Sequence, residues 1–534
     1  MLAGGHWRLW LVTATISMVH HGMVGYQIAV LNNARRIVGE FLNPLITNEI
    51  RYQHLAWGAL VAVYHLGLAL GALVNPFISD RWGRKFALIY VSNLVCVFGH
   101  GLSFLTAAVQ MAPLLFLGRL FTGIGGGIGL AVVPLYLLES CPAHLRGLIG
   151  SCLELAVVFG IFLSLLLGRT DLLGSAQLWP ILVTLGIWFS VIEMVCARFF
   201  KETPKYLLLV KDNVAAARQS VTFFTGVVEP RQIDEILHDI RSSDSCLQAE
   251  IGGDDDDDDT SEHARLYDND TQNVARQGSD SGSSQQRANA AMDQIDARAK
   301  RDRIIRFALL LGATQCFCGK TTLVAYSTGF MTSNGVSVSR AQLATVILGA
   351  AELLAGFLAL FINYRFHRRV VLLVTLGACG LANIGVFASM EINSLFDWVE
   401  RGGAGAGLFV AFFALSSVVI LMAADIGPMA LLPILCSEIA PQSMRARTCT
   451  AGVTAATLVR VVNDFLVWIG YHYIGAPVFV VYVALSAGVW LFFYQSDELK
   501  HVNTYGSNDR MKYTMLPDDS GEEPIVSYEK GIID

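Results

Sequence analysis

Pro134-Leu135-Tyr136-Leu137-Leu138-Glu139-Ser140-Cys141-Pro142-Ala143-His144-Leu145-Arg146 returns in skeleton as Pro433-Ile434-Leu435-Cys436-Ser437-Glu438-Ile439-Ala440-Pro441-Gln442-Ser443-Met444-Arg445. Both stretches spell Pro-x4-Glu-x2-Pro-x3-Arg, and every member of the second is displaced from its counterpart by the same interval. Self-similarity at a fixed offset marks an internal repeat. Each copy ends a long apolar run with an acid, a turn and a base, where the chain leaves lipid for water. The chain therefore divides into two homologous membrane halves, and repeats of that kind point to transport.

Composition supports the membrane half of this reading. Over 534 residues, 54% are hydrophobic and only 15% charged, more apolar than a soluble protein of this size needs. Runs of roughly 20 apolar residues, the length a helix needs to cross a bilayer, number about twelve. They predict spans at Arg8–Leu31, Leu55–Ser79, Phe86–Ala108, Pro113–Leu138, Gly147–Gly168, Leu178–Phe200, Ile304–Met331, Ala341–Asn363, Val370–Met390, Gly405–Leu435, Ala446–Gly470 and Gly475–Tyr494. The expected fold is an all-α membrane protein: a six-helix half over 1–200, a linker over 201–303, a second half over 304–494 and a tail over 495–534.

Cationic loops stay cytoplasmic. With the N-terminus inside, the inner loops hold Arg81, Arg84, Lys85, Arg146, Arg365, Arg368, Arg369, Arg445 and Arg447, against Arg35, Arg36, Arg51, Arg169, Arg340 and Arg401 outside. Both termini are expected in the cytoplasm, with the plasma membrane as the host bilayer. Trp7 to Val19 lacks the basic flank and the small-residue cleavage site of a secretory signal and reads as the first span. All ten cysteines fall within predicted helices or on the inner side, so no disulfide is expected. Cys316 and Cys318 alternate on one helix and so face apart. His20 and His21 are adjacent rather than spaced for a shared metal face, so no metal site is expected.

From about Arg231 to Arg303 the chain is charged and rich in Ser, Asp and Gln, too poor in apolar residues to build a core. Asp254 to Asp259 reads as a solvated, self-repelling coil. The sequon Asn269-Asp270-Thr271 falls on the inner side and is expected to be unmodified. Tyr513-Thr514-Met515-Leu516 in the polar tail has the form of a sorting signal. The partner of linker or tail, if the chain has one, is unknown.

Asp80-Arg81-Trp82-Gly83-Arg84-Lys85, after the second span, resembles the D-R-x-G-R-K/R signature of the major facilitator superfamily. Gly118-Arg119-Leu120, Pro134-Leu135-Tyr136-x-x-Glu139, Arg146-Gly147, Glu202-Thr203-Pro204-Lys205-Tyr206-Leu207 and Glu438-x6-Arg445 follow in the order of its sugar transporters, and the chain resembles the facilitative glucose transporters among them. The resemblance covers everything except linker and tail. It implies twelve helices in two pseudo-symmetric halves, and a gate in which Asp80, Arg81, Arg84, Glu139 and Arg146 latch one half while Arg368, Arg369, Glu438 and Arg445 latch the other. The alternative is a set of ordinary surface ion pairs, each worth at most about 1 kcal/mol. The second latch is worn, with His367 where the family has Gly and Asn363-Tyr364 where it has an acid.

The substrate cavity is where the chain departs from its family. The resemblance places the fifth-helix sugar-binding Gln at Glu154 and the eighth-helix Asn at Glu352. The seventh-helix Q-Q-L-S-G-I-N becomes Gln315-Cys316-Phe317-Cys318-Gly319-Lys320-Thr321. The tenth-helix G-P-G-P-I-P-W becomes Gly427-Pro428-Met429-Ala430-Leu431-Leu432-Pro433, without its Trp, after an acid at Asp425. The eleventh-helix Asn falls near Ala456, with Arg460 one turn on.

Amides read neutral hydroxyls best, because they donate and accept at once, whereas a carboxylate only accepts unless protonated. An ionisable group in a span costs at least about 2.5 kcal/mol at the bilayer centre unless it faces protein or water, so Glu154, Glu352, Asp425, Lys320 and Arg460 should point inward. Either the cavity takes a cationic or amino-bearing solute, or Lys320 and Arg460 neutralise the acids and leave a polar site for a sugar or polyol. Asp464, four residues from Arg460, offers a further partner on the same helix face. Proton-driven relatives carry an Asp where this chain has Gln27, which favours facilitated diffusion; a buried Glu154 or Glu352 would be a different proton site. With Gln315 and Thr321, these residues form the expected substrate site.

No catalytic constellation, phosphate loop or metal spacing is present, so neither an enzyme nor a cofactor is expected, and nothing suggests nucleic acid as a partner. The glycines at Gly123, Gly125, Gly126, Gly127 and Gly129 sit mid-span and read as close helix packing. The remaining alternative is a sensor or scaffold that has kept the fold and lost the flux.

Overall fold

The computed structural model describes residues 7–46, 49–142, 145–196, 199–251, 301–396, 404–439 and 445–496. The N-terminal half is built from α1 (Trp7–Ile16, a π-helical turn Ser17–Gly22, then Met23–Ile46), α2 (Ile50–Trp82), α3 (a π-helical start Phe86–Ser92, then Asn93–Val109), α4 (Ala112–Ser140), α5 (Arg146–Leu167) and α6 (Trp179–Thr184 and Gly186–Cys196). Three shorter helices follow: α7 (Pro204–Leu209), α8 (Val214–Thr225) and α9 (Pro230–Ile251). The C-terminal half contains α10 (301–317, then Lys320–Ser333), α11 (Val338–Arg365), α12 (Arg368–Phe396), α13 (Ala404–Ala424, a π-helical turn Asp425–Met429, then Ala430–Ile439), α14 (Arg445–Ile474) and α15 (Val478–Gln495).

Eleven helices among the described residues are long and apolar enough to cross a bilayer. The twelfth, α1, does not reach that standard because it carries Ser17, His20, His21, Gln27, Asn32 and Asn33, all of them buried. Burial against protein removes the cost of placing them in lipid. Its helix also runs on to Ile46, where the sequence predicts a stop near Leu31. Arg35, Arg36 and Glu40 made that stretch look like a loop, yet they are helix formers.

Glycine allows the close crossing of α2 and α4. A Cβ at Gly71 would stand 2.1 Å from the Ile124 carbonyl oxygen, and one at Gly127 the same distance from that of Leu68, so only hydrogen fits between these backbones.

The linker departs from expectation near its start. Thr203 caps α7 by accepting from the Tyr206 N–H, and Asn213 caps α8 by accepting from Ala216. Leu208, Ala217, Val221, Ile233 and Leu237 from α7, α8 and α9 then bury one another in a small core. The apolar face of α9 is hidden in composition because it is diluted by charge on the other faces. The aspartate run, the sequon and the tail motif lie outside the described residues.

The apolar cores are arranged by height. One large cluster takes residues from both halves, Tyr26, Trp57 and Leu60 packing with Phe330, Trp468 and Phe479. Towards the loops of the Pro-x4-Glu repeat, the halves keep separate cores: Leu9, Tyr136 and Ile149 in one, Phe307, Leu432 and Phe493 in the other. Among the described residues the halves are therefore joined at the end away from those loops.

Candidate functional site

At the repeat end, α2 stops at Gly83, whose φ of +104° is a conformation side chains rarely tolerate. The turn presents Arg84 to Glu139, with Nε 3.3 Å from Oε2 and Nη2 donating to Oε1 at 3.3 Å, and to Asp80 at 3.2 Å. Thr203 donates its hydroxyl to the same Oε2 of Glu139 at 2.8 Å. Glu202 accepts from the backbone N–H groups of Lys85 and Thr203. Burial lifts its carboxyl above the ordinary glutamate range, while those N–H donors and the charge on Arg84 pull it down. Glu202 and Thr203 were quoted in sequence only as part of a motif; in the structure Glu202 ties the start of α7 to the start of α3, and Thr203 ties it to α4. The Arg81 guanidinium lies over the Trp82 ring at 5.5 Å, and its carbonyl accepts from the Tyr206 hydroxyl of α7 at 3.2 Å. Arg368 and Arg369 open α12, where Arg369 donates to the Tyr494 carbonyl at 2.8 Å. The side chains of Arg146 in the first latch and of Glu438 and Arg445 in the second lie outside the described residues, so the acid–base pairing of the second latch does too.

Halfway along the bundle, α10 is interrupted. Cys318 and Gly319 leave the helix, Gly319 at φ +83°, and Asn383 donates to the freed Cys318 carbonyl at 3.0 Å. A new helix starts at Lys320, so its positive dipole end points into the bundle. Against Lys320 lie three carboxylates from three further helices. Asp425, on the π-helical turn of α13, bonds the ammonium directly. Glu352 of α11 lies 3.4 Å from it and Glu154 of α5 3.8 Å. Lys320, Glu352 and Asp425 are each at most 3% exposed. Among the described residues Oε2 of Glu352 and Oδ2 of Asp425 find no hydrogen-bond partner, and Oε1 of Glu352 has only the long ammonium contact, so this buried centre has unfilled acceptors and three acids for one base.

The other expected site residues divide. Thr321 accepts from Asn463 at 3.2 Å, and Asn463 also meets Thr322 at 3.1 Å and Tyr482 at 2.6 Å, a neutral polar network beside Lys320. Gln315 accepts from Arg460 at 3.0 Å. Asp464 does not pair with Arg460 as helix spacing suggested: its Oδ2 lies 3.0 Å from Nδ1 of His65, across the boundary between the halves. His65, alone in the apolar run of α2, was a visible signal, since a span hosts such a residue only with a partner. Gln27 stands apart from the acids, its amide taken up by Arg119 at 3.3 Å, His100 at 3.1 Å and the Val183 carbonyl at 2.9 Å.

Comparison with known proteins follows the same lines. The family described as "Sugar (and other) transporter" matches residues 12–251 and 248–496. Human solute carrier family 2, facilitated glucose transporter member 4 is 25% identical over 498 residues, covering 90% of this chain and 86% of the relative. Human member 3 is 25% identical over 481 residues, covering 88% and 85%. Among solved structures, the proton:xylose symporter XylE bound to 6-bromo-6-deoxy-D-glucose superposes with a TM-score of 0.67 at 16% identity, over 92% of this chain and 99% of that one. The partially occluded inward-open form of the E. coli xylose transporter gives 0.67 at 15%, over 91% and 97%. At those identities the structural likeness establishes the fold, and the family match establishes descent: the chain is a multi-pass membrane protein of the major facilitator fold and belongs to the sugar transporter family.

Proposed function

We propose that the protein moves a small polar solute, a hexose or related sugar, by alternating access and facilitated diffusion, through a central site built on Lys320. The observation that carries this reading is the convergence of Lys320, Glu154, Glu352 and Asp425 from four helices of both halves. A site shared between halves changes its exposure when they rock. Lys320 and the helix end it opens offset part of the acidic charge, and the adjoining Thr321, Thr322, Asn463 and Tyr482 supply the paired donors and acceptors that hydroxyls need. Relatives named as facilitated glucose transporters support the solute class. Gln27 in place of an acid, already held by Arg119, supports uncoupled flux. The positive-inside asymmetry supports cytoplasmic termini, and kinship with glucose carriers supports the plasma membrane.

A second reading rests on the charge count. Three carboxylates against one ammonium, with acceptor oxygens unfilled, suit an amino-bearing solute or a bound proton at Glu154 or Glu352. Uptake by proteoliposomes of labelled glucose, myo-inositol and glucosamine, with and without a pH gradient, separates the two. Glucose or inositol uptake indifferent to the gradient, and reduced about tenfold or more by Glu352→Ala, is expected. Preference for glucosamine, or gradient-driven uptake, favours the second reading. Absence of flux for every solute would leave a sensor or scaffold.

A further inference from the structure

At the end where the halves share one core, a cavity of about 350 Å³ opens between α1, α2 and α10, within the range of small-ligand pockets. Thr328 on its wall lies about 12 Å along α10 from Lys320, at about 1.5 Å per residue, so this is a separate chamber from the acidic centre. Its character is the reverse. Arg35 reaches in with its guanidinium 3.9 Å over the Trp468 ring, and Gly329 leaves the room it occupies, since a Cβ there would stand 2.9 Å from Nη1. Stacking uses the face of the guanidinium and leaves its edge donors free.

Among the described residues Arg35 has no carboxylate partner and no hydrogen bond. The acid on the cavity wall, Glu40, is paired at 2.8 Å with Arg36, both largely exposed. Trp57 lines the same cavity, is 7% exposed, and its indole N–H has no acceptor. His54, also on the wall, meets His472 with ring centroids 3.7 Å apart, and among the described residues Nε2 of His472 is likewise buried without a partner. Of the four amides on the wall, Asn32, Asn33, Asn43 and Gln53, the first two are already committed to bonds with α10 and α5. Among the described residues the cavity therefore holds an unmatched guanidinium and an unmatched indole N–H, and buried donors without acceptors are costly.

We propose that this vestibule is a binding site for a small oxyanion, the carboxylate or phosphate group of a solute, held by Arg35 with Trp57 as second donor. Guanidinium groups take such anions in paired hydrogen bonds, and the aromatic wall excludes water around them. The site stands whatever solute the acidic centre carries.

The test uses the full chain in nanodiscs at constant ionic strength, titrated calorimetrically with sodium gluconate and with sodium phosphate against a sodium chloride background. Binding of at least one anion is expected: gluconate identifies a carboxylate ligand, phosphate a phosphorylated one. Arg35→Gln should weaken it about tenfold or more. Trp57→Phe, which keeps the aromatic surface and removes the N–H, should weaken it by a smaller factor, and Arg169→Gln, at an arginine that does not line the cavity, should leave it unchanged. If Arg35→Gln does not fold, Gly329→Ala, which crowds the guanidinium, and Trp57→Phe carry the test. Neither anion binding above the chloride background overturns the proposal, as does weakening by Arg169→Gln equal to that of the cavity variants.

Discussion

Lys320 is surrounded by more negative charge than it can neutralise, and that makes its removal the sharpest perturbation in the molecule. Breaking a buried ion pair from one side typically costs about 3–5 kcal/mol, because the partner is left charged and unpaired. Lys320→Met should therefore destabilise the protein by about 3 kcal/mol, read as a lower unfolding temperature in detergent. Adding Asp425→Asn removes the acid that bonds the ammonium and should recover more than half of that loss. Purely additive effects of the two substitutions would mean that they are not coupled. The four members of this centre were legible because an ionisable side chain inside an apolar run announces itself. Their mutual geometry was not, since helix spacing says which face a residue shares but not what that face meets. Arg460 shows the difference, turning to Gln315 on α10 while its helical neighbour Asp464 turns to His65 on α2.

The helices are shaped at a few places with identifiable causes. The break at Gly319 aims a helix N-terminus at the acids, and the π-helical turn of α13 carries Asp425 into the bundle; such turns cluster at functional sites. Neither was legible, because apolar periodicity continues through both. The α2–α4 crossing was legible in kind, since the glycines of α4 read as close packing, but the partner helix was not. Gly127→Ala tests that crossing. Its Cβ would meet a backbone oxygen at 2.1 Å, so a helix must move, and overpacking of this sort costs about 1–3 kcal/mol. Gly101→Ala in α3 meets nothing within 4 Å and serves as control. Size-exclusion profiles and unfolding temperatures should fall for Gly127→Ala and hold for Gly101→Ala. Equal behaviour of the two would mean that the crossing is looser than described.

In the whole molecule, joined cores at one end and separate cores at the other describe a bundle closed over the vestibule. Hydrogen bonds between the halves reinforce that closure. Asn32 bonds Val324 and Ser327 at 2.7 and 2.9 Å, Thr328 donates to Asn33 at 2.6 Å, and Gln342 donates to the Asn33 carbonyl at 2.9 Å. These contacts were not legible in the sequence, because they depend on two halves meeting and not on any motif within either. Alternating access requires them to break, so each one biases the balance between the two openings. Thr328→Val keeps the side-chain shape, removes the bond to Asn33 and strands a buried acceptor, a change of about 1 kcal/mol or somewhat more. A reporter is available at Thr332, which lines the vestibule and, among the described residues, bonds only to its own helix. With Thr332→Cys on a background free of reactive thiols, a water-soluble maleimide should label the Thr328→Val protein about fivefold faster, the shift that 1 kcal/mol gives at room temperature. An unchanged or slower rate would mean that this seam does not hold the closed end shut.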